Sequence, residues 1–170
     1  MATMRDGVKL AADIYRPDDN KRYPVLLSRL PYNKTYSFDF MRPHVLASQG
    51  YIVILQDVRG RYASEGVFEG PYIAEQTDGY DTVEWAATLP YSDGKVGMLG
   101  LSYFGYTQML AAMTQPPHLT AIAPTMSQNS FTEVSQDHNG ATELSMWQTW
   151  SLESIAANLL ERTYTDPKEL

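Results

Sequence analysis

One short segment, residues 96–107, carries the side chain best suited to covalent chemistry. It reads VGMLGLSYFGYT and resembles the G-x-S-x-G motif, in which a serine occupies a sharp turn between a strand and a helix. A serine held there can attack a carbonyl carbon, and N–H groups at the helix N-terminus can stabilise the resulting oxyanion. The second glycine, Gly105, stands one position late. The segment alone therefore leaves open whether Ser102 is a nucleophile or part of a glycine-rich joint that only allows close packing.

A serine nucleophile needs a base, and the histidines that follow Ser102 are His118 and His138. His118 comes after two prolines with no acid between it and Ser102, and we expect it at the opposite edge of the sheet. His138 is a candidate base, although its immediate neighbour Asp137 is badly placed to orient it. His44 precedes the serine and falls in a predicted helix. The sequence thus offers a nucleophile without an evident acid and base.

The elements that must position Ser102 follow from the apolar pattern. Strands and helices alternate from about residue 24 to residue 124, which predicts a doubly wound, mostly parallel α/β sheet with flanking helices. An outer antiparallel strand is expected at 8–15, after a turn. Thr77 is expected to cap the helix predicted at 76–89. Further strands are predicted at 24–30, 51–58, 95–101 and 119–124, and helices at 38–48, 76–89, 103–114 and 152–162.

A charged loop follows the clearest buried strand, at 59–71. We interpret it as a structural loop held by ion pairs and glycines, although its first carboxylate ends a strand at the edge where sites form. The charged residues concerned are Asp57, Arg59, Arg61 and Glu65. Asp78 and Asp81, near the start of the next helix, are assigned to favourable interaction with the helix dipole.

Composition excludes several classes of function. The 170 residues carry a net charge of −7 without a cluster of Lys or Arg, which disfavours binding to nucleic acid or to an anionic membrane. The chain contains no cysteine, so thiol catalysis and Cys-based zinc sites are excluded. Neither a signal peptide nor an apolar run long enough to span a membrane is visible, so we expect a cytoplasmic protein.

Several ordered segments together resemble the N-terminal half of the catalytic domain in the cocaine esterase family. That family is similar to the α-amino-acid ester hydrolases, the glutaryl acylases and the Xaa-Pro dipeptidyl-peptidases. The segments are MRDGVKLAADIYRP (4–17), PYNK (31–34), QDVRGRYASEGVF (56–68), DGYDTVEWAATLPYSDGKVGMLGLSYFG (78–105) and AIAPTMS (121–127). In this family the serine motif is G-x-S-Y-x-G, so the late glycine matches the family's own spacing.

The resemblance implies an α/β-hydrolase fold with Ser102 as the nucleophile. It also implies an oxyanion hole made by the backbone N–H of Tyr103 and the phenol of Tyr32, a neutral donor that stays protonated at neutral pH. Residues 1–128 would form the N-terminal half of the hydrolase core, and 129–170 the start of a helical cap. Trp147 and Trp150 would line or pack that cap near a substrate.

The resemblance therefore implies a serine hydrolase of ester or amide bonds acting on a small molecule, with no cofactor or metal. The family's later strands, which carry the acid and the base, are absent, so we expect a fragment that pairs with the remainder of the fold or self-associates. The alternative is a non-catalytic α/β module that serves binding or assembly. A nucleotide-binding domain is disfavoured because the glycines do not form G-x-G-x-x-G and no P-loop lysine follows.

Overall fold

The computed structural model describes residues 1–127, 141 and 143–164. The chain divides into two compact units, Met1–Ser127 and Gln128–Leu170.

The first unit is built on a five-stranded sheet with the order β3-β5-β4-β6-β7. The outer strand β3 is antiparallel to β5, and the other neighbours are parallel. The predicted mostly parallel α/β architecture, with an antiparallel outer strand, is confirmed. The strands are β1 (Ala2–Thr3), β2 (Lys9–Leu10), β3 (Ala12–Tyr15), β4 (Tyr23–Leu30), β5 (Ile52–Asp57), β6 (Ser92–Leu101) and β7 (Leu119–Thr125), of which β1 and β2 form a separate hairpin.

The helices between β4 and β7 lie close to their predicted positions with one exception. The helix predicted at 38–48 is two helices, α1 (Ser37–Met41) and α2 (Pro43–Ser48). Arg42 separates them in the left-handed conformation, with φ 45°. The physical reason is Pro43, because a proline disfavours the α-helical conformation in the residue before it and removes a backbone donor.

Helices α3 (Glu75–Ala87) and α4 (Tyr103–Met113) pack against each other and against the sheet. The prediction that Thr77 caps α3 is wrong, because Ala74 occupies the N-cap position and the Thr77 hydroxyl donates a hydrogen bond to the Ala74 carbonyl oxygen. No helix among the described residues combines the length and apolarity needed to cross a membrane.

The core of the first unit lies between the sheet and these helices. Strand β5 is buried along its whole length, in keeping with its apolar first four residues, and its last two residues, Gln56 and Asp57, are polar. Burying each large aliphatic side chain contributes roughly 1.5–3 kcal/mol. The buried core side chains are Val25, Leu27, Ile52, Ile54, Val83, Ala86, Val96, Met98 and Ala111.

The described part of the second unit is helical. It contains α5 (Leu144–Thr149), a π-helical segment (Trp150–Ala156) and α6 (Ala157–Thr163), which follow one another directly. The helix predicted at 152–162 is therefore present and begins earlier. Trp147 and Trp150 pack edge to face, with ring centroids 5.6 Å apart.

Candidate active site

Ser102 occupies the turn between β6 and α4 in a strained backbone conformation. Its φ of 54° and ψ of −123° lie in a region that costs a non-glycine residue about 1–3 kcal/mol. The turn is held from both sides: the Ser102 N–H donates to the Thr125 carbonyl oxygen at 2.9 Å, and the Ser102 carbonyl oxygen accepts from the N–H groups of Gly105 and Tyr106. The surrounding backbone thus fixes a conformation that a serine would otherwise avoid.

The glycines on either side of Ser102 have separate steric reasons. Gly100 has a φ of +142°, and a Cβ there would lie 2.5 Å from the Cβ of Phe104. A Cβ on Gly105 would overlap the hydroxyl oxygen of Ser127. That hydroxyl donates a hydrogen bond to the Ser102 carbonyl oxygen at 2.9 Å. The late glycine therefore makes room for a side chain that fastens the turn.

Because of this contact, Gly105→Ala is expected to lower the free energy of unfolding by about 1–3 kcal/mol, the usual cost of overpacking. The double variant Gly105→Ala/Ser127→Gly should recover part of the loss, because glycine removes both the overlapping oxygen and the Ser127 Cβ, which would lie 2.9 Å from the added Cβ. Urea unfolding measures both. The control is Gly97→Ala, whose added Cβ meets Leu26 at an ordinary 3.5 Å. Equal losses for the two single variants would contradict the steric explanation.

Tyr32 lies in the loop after β4 and lines the same cavity as Ser102. The cavity holds about 340 Å³ and is mostly apolar. The Tyr32 ring contacts Tyr103 edge to face at 6.2 Å and Phe104 at 5.6 Å between centroids. The residues that line the cavity are Tyr32, Tyr36, Ser37, Phe40, Leu101, Ser102 and Phe104. The structure therefore brings together the serine and the tyrosine that the sequence predicts as a site.

Tyr103 is the first residue of α4, so its backbone N–H is one of those at the helix N-terminus that have no acceptor within the helix. Its side chain is buried, and the phenol donates a hydrogen bond to Oε1 of Glu75 at 3.0 Å and accepts one from the Tyr72 N–H at 3.2 Å. Burial, and then the neighbouring Glu75 carboxylate, raise the pKa of this phenol well above its usual value. The Tyr103 side chain is thus an anchor for the start of the helix.

Glu75 and Arg29 form a buried ion pair beneath this anchor. Nη1 of Arg29 lies 2.7 Å from Oε2 of Glu75, and Nε of Arg29 donates to Oε1 of Gln56 at 2.8 Å. Burial raises the pKa of the Glu75 carboxyl, while the Arg29 charge and the Tyr103 hydroxyl oppose that rise. Sequence reasoning missed this pair. The available signal was an arginine inside an otherwise apolar strand, since a buried charge needs a partner.

The candidate base His118 lies immediately before β7 and pairs with Glu84, its Nδ1 being 2.7 Å from Oε2. Ser102 follows the opposite end of the parallel strand β6, so His118 lies at the other edge of the sheet, as expected. His44, in α2, stacks on Phe38 at 5.3 Å. His138 lies outside the described residues. Among the described residues, no group of three or more His, Asp or Glu is placed to hold a metal ion.

The charged loop after β5 is fastened by its own side chains, in line with its interpretation as a structural loop. Arg59 pairs with Asp78 and with Asp6, each at 2.7 Å. Asp81 accepts hydrogen bonds from the backbone and guanidinium of Arg5. The carboxylates of Asp78 and Asp81 therefore form ion pairs with arginines from other elements, in addition to any interaction with the helix dipole.

The sheet, its order and the serine turn after strand β6 define the α/β-hydrolase fold. The sequence profile of the X-Pro dipeptidyl-peptidase (S15) family matches residues 6–169. The chain belongs to this family, and the resemblance to the cocaine esterase group is confirmed: the chain is 44% identical over 131 residues to cocaine esterase from Rhodococcus sp. (strain MB1 Bresler), covering 75% of this chain.

Solved structures agree with this assignment. A CocE/NonD family hydrolase from Staphylococcus aureus superposes with a TM-score of 0.81 at 27% identity and covers 97% of this chain. An aminopeptidase from a marine sediment archaeon, Thaumarchaeota archaeon, gives 0.77 at 30% identity and covers 93%. The chain spans 23% of the length of cocaine esterase and 33% and 30% of these two structures. The relatives named here are hydrolases.

Proposed function

We propose that Ser102 is the nucleophile of a serine hydrolase that cleaves ester or amide bonds through an acyl-enzyme. The observation that carries the proposal is the strained backbone of Ser102, held at the N-terminus of α4 in a cavity that also contains Tyr32. Strain of this kind persists where the surrounding structure imposes it, and it is common at functional sites. The turn then has the role of a nucleophile elbow.

In this mechanism the Ser102 hydroxyl oxygen attacks the carbonyl carbon of the substrate while a base removes its proton. The carbonyl π electrons move onto oxygen, where the Tyr103 N–H and the Tyr32 phenol donate hydrogen bonds. Collapse expels the alcohol or amine, which takes up the proton, and water then releases the acid and regenerates the serine. The base and the acid that orients it are proposed to come from outside the described residues.

The substrate class follows from the cavity and the relatives. The cavity walls beside Ser102 are mostly aromatic and apolar, which suits an uncharged acyl or alkyl group. Cocaine esterase is named for an ester and the aminopeptidase for an amide. We therefore propose a small-molecule ester or amide as the substrate, with no cofactor required.

The experiment is reaction of the protein in its full natural length, so that the proposed base is present, with a fluorophosphonate probe, followed by peptide mass spectrometry. The proposal expects one adduct on Ser102 and no adduct in Ser102→Ala, with both proteins equally folded by circular dichroism. Equal labelling of the two proteins would overturn the assignment. A folded protein that takes up no probe and hydrolyses no activated ester would favour the non-catalytic binding module instead.

A further inference from the structure

The loop that carries Tyr32 is fastened on both sides of the tyrosine by buried groups of the charged loop after β5. Before it, Nε of Arg61 donates a hydrogen bond to the Pro31 carbonyl oxygen at 2.9 Å. After it, the Lys34 N–H donates to Oδ1 of Asp57 at 2.7 Å. Arg61 is 0% exposed and Asp57 is 1% exposed. The bond to Pro31 is buried and the bond to Asp57 is partly buried, which limits competition by water for the same donors and acceptors.

The charged loop is itself fixed well enough to act as a support. Gly60 has a φ of +69°, and a Cβ there would overlap the backbone of Val67 and Phe68, so the loop folds back tightly on itself. The Gly60 N–H donates to the Glu65 carbonyl oxygen at 2.9 Å. The Arg61 guanidinium lies over the Phe68 ring, 5.5 Å from its centroid. The groups that hold the tyrosine loop therefore have little freedom of their own.

We infer that Asp57 and Arg61 are positioning residues that hold the Tyr32 phenol at the oxyanion of the reaction. The inference rests on the proposed function, since it assigns a purpose to the Tyr32 phenol. The bond from Arg61 fixes the peptide group between Pro31 and Tyr32. The bond to Asp57 fixes the backbone at Lys34, two residues after the tyrosine. Because the loop is restrained at both points, the Tyr32 phenol keeps its position in the cavity with Ser102. No conformational entropy is then lost in ordering the phenol during each turnover.

The test is a double-variant cycle on the rate constant for reaction with the fluorophosphonate. Asp57→Ala is expected to slow the reaction about 10–100-fold in the wild-type background, because small displacements of catalytic groups cost factors of that size. In the Tyr32→Phe background the same change should cost less than about threefold, because no donor remains to be misplaced. Asp57→Asn keeps an acceptor oxygen for the Lys34 N–H and should recover most of the rate.

The matched control is Ser92→Ala, at the end of β6 opposite Ser102. The Ser92 side chain is buried, and its hydroxyl accepts a hydrogen bond from the Gly94 N–H at 3.1 Å. This variant should lose thermal stability while keeping the wild-type rate. A merely structural role for Asp57 predicts that Asp57→Ala behaves in the same way.

Equal rate losses from Asp57→Ala in both backgrounds, or none in either, would overturn the inference. If Asp57→Ala does not fold, Arg61→Lys enters the same cycle, because a lysine ammonium cannot reproduce both the Nε bond to Pro31 and the contact of the planar guanidinium with Phe68. The outcome is separable from that of the proposed function. Labelling of Ser102→Ala at the wild-type rate refutes the nucleophile, whereas an inert Ser102→Ala with an additive cycle refutes only the positioning role.

Discussion

Glu75→Gln is expected to lower the free energy of unfolding by about 3–5 kcal/mol, the cost of removing one partner of a buried ion pair. Arg29 keeps its charge in this variant, and it has 0% side-chain exposure in the folded protein. The glutamine amide has one acceptor oxygen where Glu75 uses two, for Tyr103 and Arg29, so the loss reports the missing charge together with one hydrogen bond. Since the free energy of unfolding of a folded domain is only about 5–15 kcal/mol, this loss is a large fraction of it.

Urea unfolding at neutral pH measures the effect. The matched control is Glu84→Gln, because Glu84 also pairs with a basic side chain, His118, but at the surface. Exposed pairs contribute about 0–1 kcal/mol, so this control should unfold close to the wild type. The double variant Arg29→Met/Glu75→Gln should be more stable than Glu75→Gln alone, because the Arg29 charge is removed and Asp78, 4.0 Å from Arg29, keeps its ion pair with Arg59. A Glu75→Gln protein as stable as the control would refute the importance of the pair.

Tyr32→Phe is expected to slow the reaction of Ser102 with a fluorophosphonate by about 10²–10³, the usual effect of removing one oxyanion donor. The substitution deletes the hydroxyl and keeps the ring, which packs on Tyr103 and Phe104. The fold and the cavity should therefore persist, and the loss should fall on the rate of the chemical step. The second-order rate constant, measured from the time course of adduct formation, gives the effect.

The same cavity supplies the control for this prediction. Tyr36 also lines it but is 78% exposed, so Tyr36→Phe should leave the rate constant close to that of the wild type. Comparable slowing in both variants would mean that any phenol near the cavity matters, and the specific oxyanion role of Tyr32 would be abandoned. An unchanged rate in Tyr32→Phe would leave the backbone N–H of Tyr103 as the main proposed donor.

The sheet could be predicted from the sequence because its strands are short apolar runs bounded by turns. Strand β5 is buried throughout, and its composition shows it. The break between α1 and α2 could also have been predicted, since Pro43 disfavours a helical Arg42. The helical spacing of apolar residues over 38–48 concealed it.

The predicted site was carried mainly by the family resemblance, and its supports were not predicted. Glu75 begins a helix, where an acidic side chain is usually exposed and interacts favourably with the helix dipole. Nothing in the sequence therefore indicated that Glu75 is buried. Ser127 contacts the serine turn from 25 residues away in the sequence, and such contacts have no local pattern. Asp57 and Arg61 were interpreted as parts of a structural loop, and their bonds to the Tyr32 loop became visible only in three dimensions.

The fastening of the serine turn to the end of β7 also defines where the chain can be cut and rejoined. Thr125 and Ser127 both bond the backbone of Ser102, one through its carbonyl and one through its hydroxyl. A chimaera that exchanges the helical segment for that of a relative should therefore place its junction after Ser127. A junction only a few residues earlier would replace part of the turn along with the segment meant to be exchanged.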